Sequence, residues 1–437
     1  MRYVDSLNLK NGIECFILIE PGQGFLVPAL REKFKNSKII ALHVNDDFPS
    51  AGVSQLCGTD PANVQNFLEK EVPETEAANI KIIEWRPSLN FYGEAYLKLL
   101  SNVVEFIKRR DAASRTVSAF GRRWVKNFFR NLGNVKEVLL YKTADTPVII
   151  TGSGPSLEEA LPVIRGAQDG AIILAASSSV TALANGGVTA DIVITTDGGA
   201  WALKHLYSCH RNSKAGTAIA ANLCAALPSQ CAASPLLIIN DGSLWQSITL
   251  HELAIPSVII PQMGTVTASA VELAMILSGG NVYLAGLDLS VKDIRTHARP
   301  YGFDHLIYEQ ACRIKPSYSQ TFVRSGLIQG GGGLNIYKAW FKNQLASWPK
   351  RIFSVDSAEV FEYSLPPQTP AGKKNTGDYF KAVRVDNGGF REKGRAALLS
   401  ALKDSRYSEN LKAELVPLLL PGKKDATERE LEEAIFE

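Results

Sequence analysis

Between residues 145 and 360 the chain repeats one pattern: a short apolar run, a break rich in glycine or polar residues, then apolar residues at helical spacing. Runs that read as strands are Val148–Ile150, Ile172–Ala175, Ile192–Thr195, Ala218–Ala220, Leu236–Ile239, Val258–Ile260, Val282–Ala285 and Ile352–Val355. Helices are predicted at Leu157–Arg165, Ser179–Asn185, Val266–Leu277 and about 335–345. Short apolar strands alternating with helices belong in a parallel sheet covered on both faces. The predicted fold class is therefore α/β, with a doubly wound, mostly parallel, Rossmann-like sheet. In such sheets ligands sit beyond the carboxyl ends of the strands, where the strand order reverses. The strand-end loops are thus where chemistry is sought.

The 437 residues exceed what one domain usually needs, and three sections are expected. Section 1–140 holds two apolar runs, "ECFILIEPG" and "SKIIALHV", and the helical pattern "EAYLKLLSNVVEFIKRR". It reads as an N-terminal α/β and helical domain. Section 145–360 is the sheet domain. Section 365–437 opens as a Pro/Gly/Lys-rich linker (364–378) and continues as a charged, helical region ending "DATERELEEAIFE". Lys+Arg exceed Asp+Glu by 47 to 44, so net charge names no partner. The six cysteines include no CxxC pair, which points away from zinc or redox motifs and toward reduced thiols in a cytoplasmic protein. The N-terminus lacks the pattern of a signal peptide. No apolar run reaches the roughly 18 residues of a membrane span.

The first strand-end loop reads GSGPSL. Gly152 and Gly154 let the backbone approach a ligand or adopt positive φ. Pro155 suits a first helical turn, and Ser156 places a hydroxyl near the helix N-terminus. Exposed N–H groups and the helix dipole favour an anion there, Ser153 being part of the same loop. The alternative is a tight turn that merely needs glycines. Neither a P-loop nor a dinucleotide fingerprint fits. No Gly-Lys-Ser/Thr follows, Leu157 replaces the third small residue, and the second strand ends in serines rather than an acid. Ser177 and Ser178 either hydrogen-bond a ribose, base or sugar, or cap the next helix. In "ITTDGGAW", Asp197 either accepts from a sugar or holds a metal, or caps its own turn.

The longest informative stretch is "MGTVTASAVELAMILSGGNVYLAGLDLSVKDIRTHARPYGFD". Gly264 and Thr265 open a helix. The next strand ends in Gly286-Leu287-Asp288, and a polar loop follows with His297, Tyr301 and His305. Two of the chain's six histidines fall here, and an imidazole titrates near neutrality, as a general base should.

These four stretches resemble the bacterial motility-associated flagellin glycosyltransferases, the Maf family, whose core is the DUF115 domain. That domain is shared with an archaeal hydroxymethylpterin pyrophosphokinase. The likeness covers roughly 145–310 and extends more weakly to "RRWVKNFFRNL" at 122–132. A more distant likeness is to bacterial lipooligosaccharide sialyltransferases, which carry the Gly-x-Gly-Pro-Ser-Leu loop, a small-residue turn and helix, Gly-x-Asp and Tyr-x-Phe-Asp in this order. It implies a sialyltransferase-like core that binds a CMP-activated, sialic-acid-like donor such as pseudaminic or legionaminic acid. Gly152 to Ser156, Ser177, Ser178, Asp197, Gly264 and Thr265 would line the nucleotide sugar, and Tyr301 would donate to the leaving phosphate. This chain departs from those enzymes at Ser290, where they have a second phosphate-binding tyrosine, and in having no histidine beyond His305. The base assignment of the sialyltransferases therefore does not carry over; flagellin-transferase relatives often have Thr-His-Ala after the Gly-x-Asp strand, which matches Thr296-His297-Ala298, so that resemblance implies His297 as the base, with His305 the alternative and Asp288 a further catalytic candidate. The acceptor implied is a Ser/Thr hydroxyl of flagellin. No metal is required on this scheme; Asp197 and Asp288 are the carboxylates a divalent cation (Mg or Mn) would use.

Two other functions stand beside this one: a hydroxymethylpterin pyrophosphokinase, and a non-catalytic flagellar or chaperone-binding module. The basic run 108–130 carries eight Lys/Arg and one Asp. It either meets an anionic partner or is a solvated helical face; no nucleic-acid motif accompanies it. Trp124, Phe128 and Phe129, at helical spacing, are expected in the core.

Overall fold

A computed structural model describes residues 2–7, 9, 12–47, 49–50, 52–72, 79–212, 217–232, 234–330, 334, 337–338, 341, 348–356, 362–366, 379–386, 388–423 and 425–436. The chain divides into two compact units, Met1–Val117 and Ser118–Glu437. These do not coincide with the sections read from composition. The helix Glu94–Leu132 runs across the division, and residues 365–437 belong to the larger unit rather than standing apart.

In the first unit, strands β1 (Cys15–Ile19), β2 (Lys38–His43), β3 (Ser54–Cys57) and β4 (Ile80–Glu84) form a parallel sheet in the order β3-β2-β1-β4. Every residue of β1 is buried. Cys15, Ile17 and Ile19 meet Val64, Leu68, Tyr96 and Leu99 on one face, while Phe16 and Leu18 meet Val27, Leu30 and Phe34 on the other. A strand between two covered faces has no solvent side, which is why its sequence does not alternate.

In the second unit ten strands form one sheet. They are β5 (Glu137–Tyr141), β6 (Val148–Thr151), β7 (Ile172–Ala176), β8 (Ile192–Thr195), β9 (Ala218–Asn222), β10 (Leu236–Asn240), β11 (Val258–Ile259), β12 (Val282–Ala285), β13 (Ile352–Ser354) and β14 (Phe380–Arg384). The order is β13-β12-β6-β7-β8-β9-β10-β5-β14, with β11 beside β10. All pairs are parallel except β14 with β5. All eight strands expected from the sequence form, and the α/β, Rossmann-like architecture is realised. Alternate residues serve opposite faces: Ile149, Ile173 and Val193 pack into one core, Val148, Ile150, Leu174 and Ile194 into the other. The helix Val266–Leu277, apolar almost all round, lies in the second core. Helices Leu157–Ala167, Val180–Asn185, Phe390–Lys403, Ser408–Leu419 and Glu428–Phe436 contribute to the first. Phe128 and Phe129 are buried there too, as expected, with Trp124 packed against it.

Four strands (β3, β4, β5 and β14) and several helices were not expected from the sequence. β14 gives the C-terminal section a strand as well as helices. Ala202–Asn212, Leu244–Glu252, Asp304–Glu309 and Ser317–Gly330 are helices that the sequence pattern did not declare. The helix expected at about 335–345 and most of the linker 364–378 lie outside the described residues. Among the described residues, no helix is long and apolar enough to cross a membrane.

Candidate active site

The strand order reverses between β6, which leads toward β10, and β12, which leads away. GSGPSL leaves β6 and Gly286-Leu287-Asp288 leaves β12, side by side. The two loops are joined rather than splayed. Gly152 N donates to Ala285 O and Gly154 N to Gly286 O, both at 2.8 Å, so the ladder continues past the strands. A Cβ on Gly152 would lie 2.5 Å from Gly286 O, and one on Gly154 would lie 2.0 Å from Asp288 Oδ2. These glycines are therefore required by close backbone packing. Ser156 N donates to both Asp288 carboxylate oxygens at 3.1 Å, and Ser156 Oγ lies 2.7 Å from Asp288 Oδ2 and 2.8 Å from Asp356 Oδ2. Gly286 N donates to Asp356 Oδ2.

This corrects one sequence expectation. The amides of Gly154 and Ser156 are engaged within the protein, and Pro155 has none to offer. The anion at the N-terminus of helix Leu157–Ala167 is the carboxylate of Asp288, which satisfies donors a phosphate would otherwise take. Burial raises the Asp288 pKa, and nearby Asp356 adds to the rise against the opposing bonds from Ser156. Asp288, half-buried, serves here as a strand-end cap that accepts from Ser156.

The accessible side of the loop begins at Ser153. Its Oγ accepts from Ser178 Oγ at 3.0 Å, and its carbonyl accepts from Ala298 N at 2.8 Å. That second bond ties the loop after β12 to GSGPSL and brings His297 beside Ser153. The rings of His297 and Tyr301 stack, with centroids 4.0 Å apart and planes 14° apart. Thr296 Oγ1 lies 2.8 Å from His297 Nδ1, and Tyr301 N donates to Asp304 Oδ2. Helix Ala202–Asn212 adds His205, whose ring packs against Tyr301 and Phe303 and whose Nε2 is 3.5 Å from Tyr301 Oη. Trp201 meets Phe303 edge-on and is 63% exposed.

Burial depresses both imidazoles to about 4; for His297 the Arg324 guanidinium and His205 push the same way. Both are neutral at neutral pH. Burial lifts Tyr301 to about 12, with Asp304 and Asp197 adding to the rise and Arg324 opposing it. Its phenol keeps its proton. The site thus offers two neutral imidazoles, a phenol donor, a guanidinium and two serine hydroxyls.

The other sequence candidates sit differently. Ser177 is buried at the end of β7. Gly264 takes φ +74°, and Thr265 caps helix Val266–Leu277 by accepting from Ala268 N at 3.1 Å. Thr267 Oγ1 is 3.4 Å from a Cβ built on Gly152, which sets that helix end against the GSGPSL loop. Asp197 is exposed and accepts from Gly199 N at 2.7 Å, a turn cap. His305 is exposed, with Nε2 3.4 Å from Lys204 Nζ. Among the described residues, no three or more His, Cys, Asp or Glu gather where they could hold a metal ion. His205, Arg324, Asp356 and Trp201 were missed in the sequence. Trp201 closes the quoted loop "ITTDGGAW" and His205 lies in the helix directly after it, while Arg324 and Asp356 come from later elements; only the scarcity of histidine could have drawn attention to His205.

Residues 122–293 match the family model described as MptE-like, 6-hydroxymethylpterin diphosphokinase MptE-like. An uncharacterized protein of Treponema pallidum (strain Nichols) is 26% identical over 281 residues, 64% of this chain. The match spans 61% of that relative's length. Among solved structures, the MAf glycosyltransferase from Magnetospirillum magneticum AMB-1 superposes with a TM-score of 0.56 at 14% identity, covering 97% of this chain and 73% of that one. The resemblance drawn from the loops is thus borne out: the core of this chain is similar to the MptE-like family, and its fold is that of a Maf glycosyltransferase.

Proposed function

We propose that the chain is a glycosyltransferase that moves a nonulosonic, sialic-acid-like sugar from a CMP-activated donor to Ser or Thr hydroxyls of flagellin. The observation that carries this reading is the stacked His297–Tyr301 pair held beside the Ser153–Ser178 hydroxyls, on a fold shared with a glycosyltransferase. The nucleotide would lie along Ser153 and Ser178, beyond the packed part of GSGPSL. The acceptor oxygen attacks the anomeric carbon, and its proton passes to the His297 imidazole. In the tautomer whose Nδ1–H donates to Thr296 Oγ1, 2.8 Å away, Nε2 would carry the free lone pair that takes this proton. The bond from the anomeric carbon to the phosphate oxygen breaks, and CMP departs with the electron pair. Tyr301 donates to that phosphate, and the Arg324 cation offsets its charge. A neutral imidazole is ready to take a proton, and an anionic donor beside it raises its basicity.

The test is CMP release and glycosylated flagellin, followed with CMP-pseudaminic or CMP-legionaminic acid. Tyr301→Phe is expected to lower kcat about 10²–10³-fold, the usual cost of a donor to developing negative charge. His297→Ala is expected to lower it about 10²–10⁴-fold. Wild-type rates in both variants would remove the assignment.

One observation favours a second reading: the family model over residues 122–293 is named for a pterin diphosphokinase. On that reading ATP and a hydroxymethylpterin replace the donor and acceptor. Pterin-dependent release of AMP, with no turnover of CMP-sugars, would establish it.

A further inference from the structure

The helix Ser317–Gly330 is inverted. Its inward side carries Ser317, Thr321, Arg324 and Ser325, the last buried, with Ile328 among them. Its outward side carries Tyr318, Phe322, Val323 and Leu327, between 58% and 71% exposed. A surface helix ordinarily does the reverse. The apolar strip extends into the preceding turn through Ile314, 94% exposed, flanked by the exposed Arg313 and Lys315. A contiguous apolar strip rimmed by charge marks an interaction surface.

Charge identifies the partner. After Glu309 the next acidic residue in the sequence is Asp356, so the basic residues that flank the strip, Arg313 and Lys315, have no acidic residue of their own segment to offset them. We propose that this helix face docks on an anionic lipid surface, its aromatic and aliphatic side chains entering the headgroup boundary while Arg313 and Lys315 pair with lipid phosphates. Three features argue for a membrane plane: the strip is a helix face, its rim is basic, and its side chains are the Tyr, Phe, Leu and Ile that suit an interface. The same helix carries Arg324, whose charge acts on His297 and Tyr301, so docking would bring the candidate site near the membrane. The inference does not depend on which donor the site uses.

The experiment is co-sedimentation of the full chain with phosphatidylcholine vesicles, with and without phosphatidylglycerol. Binding to the anionic vesicles alone, weakened by added salt, is expected. The double variant Phe322→Ser/Leu327→Ser should lower the partition coefficient at least about tenfold, and Arg313→Gln/Lys315→Gln should lower it on anionic vesicles. Thermal unfolding of both variants should match the parent, because these side chains are exposed. Three results would overturn the proposal: no sedimentation with either vesicle, as when a protein partner occupies the strip; undiminished binding by the Ser variant; or a lipid-free dimer that the Ser variant abolishes.

Discussion

Replacing Gly154 by alanine separates two reasons for its presence. If the glycine serves a nucleotide, the unliganded protein tolerates a methyl group. If it serves packing, the unliganded protein pays at once. A Cβ there lies 2.0 Å from Asp288 Oδ2 and 2.8 Å from Gly286 O, and no positive φ complicates the comparison. Asp288 must withdraw, giving up its bonds from Ser156 N and Oγ. A hydrogen bond to a charged group is worth about 1.5–3 kcal/mol, so losing one or both gives roughly 3 kcal/mol. Unfolding entropy of about 2.1 cal/mol/K per residue, over the roughly 320 residues of the larger unit, is about 0.7 kcal/mol/K, so the melting temperature should fall by about 4 °C. The assay is calorimetry without any nucleotide, on Gly154→Ala, Asp288→Ala and the double variant. Removing the carboxylate removes the closer of the two clashes and leaves the one with Gly286 O, so the double variant should be less destabilised than the sum of the singles. An unchanged melting temperature in Gly154→Ala, with loss of CMP affinity, would refute this reasoning and return the loop to ligand binding.

Further outcomes follow from the same structure. Both His205 and His297 have folded pKa values near 4, below the ordinary 6.5, so the unfolded chain binds more protons between these values. Stability is therefore full above pH 6.5 and falls as pH drops toward 4, by about 1 kcal/mol per pH unit for each histidine. Denaturant titrations of His205→Asn and His297→Asn should show a flatter acid limb than the parent; an identical limb would show these imidazoles to be solvated. Glu414 accepts from Leu244 N and Trp245 N, so it caps the helix Leu244–Glu252 from the C-terminal section. Glu414→Ala should cost about 1–2 kcal/mol in urea unfolding, and no change would mean that these helices hold to the core by apolar contact alone.

The sheet was legible because its strands are apolar along their whole length. Val148–Thr151 or Ile192–Thr195 announce burial on two faces without knowledge of any neighbour. β14 was not legible: Phe-Lys-Ala-Val-Arg has no apolar run, and it becomes a strand only because β5 offers an open edge. Helix Val266–Leu277 was readable to the residue because Thr265 marks its start and its side chains are nearly all apolar. Helix Ser317–Gly330 was hidden by its inverted pattern.

In the site, His297 and Tyr301 could be picked out because they lie in one loop after a recognisable strand. His205 and Arg324 join them only through tertiary packing. Of the two readings that GSGPSL left open, a tight turn and an anion site, the packing of Gly152 and Gly154 accounts for the glycines. The carboxylate that takes up its Ser156 amide lies 132 residues further on, and no local spacing records that bond.

The two outermost strands of the larger sheet are consecutive in sequence. β13, residues 352–354, seals one margin, and β14, residues 380–384, seals the other, with eight strand spacings of about 4.8 Å, or roughly 38 Å, between them. During synthesis the ribosome therefore delivers a nearly finished sheet whose two borders, β12 and β5, both stay raw until the last fifth of the protein emerges. Bare borders recruit other chains. A stalled or C-terminally clipped product would be a seed for aggregation, and expression trials that trim the tail should keep everything through Arg384.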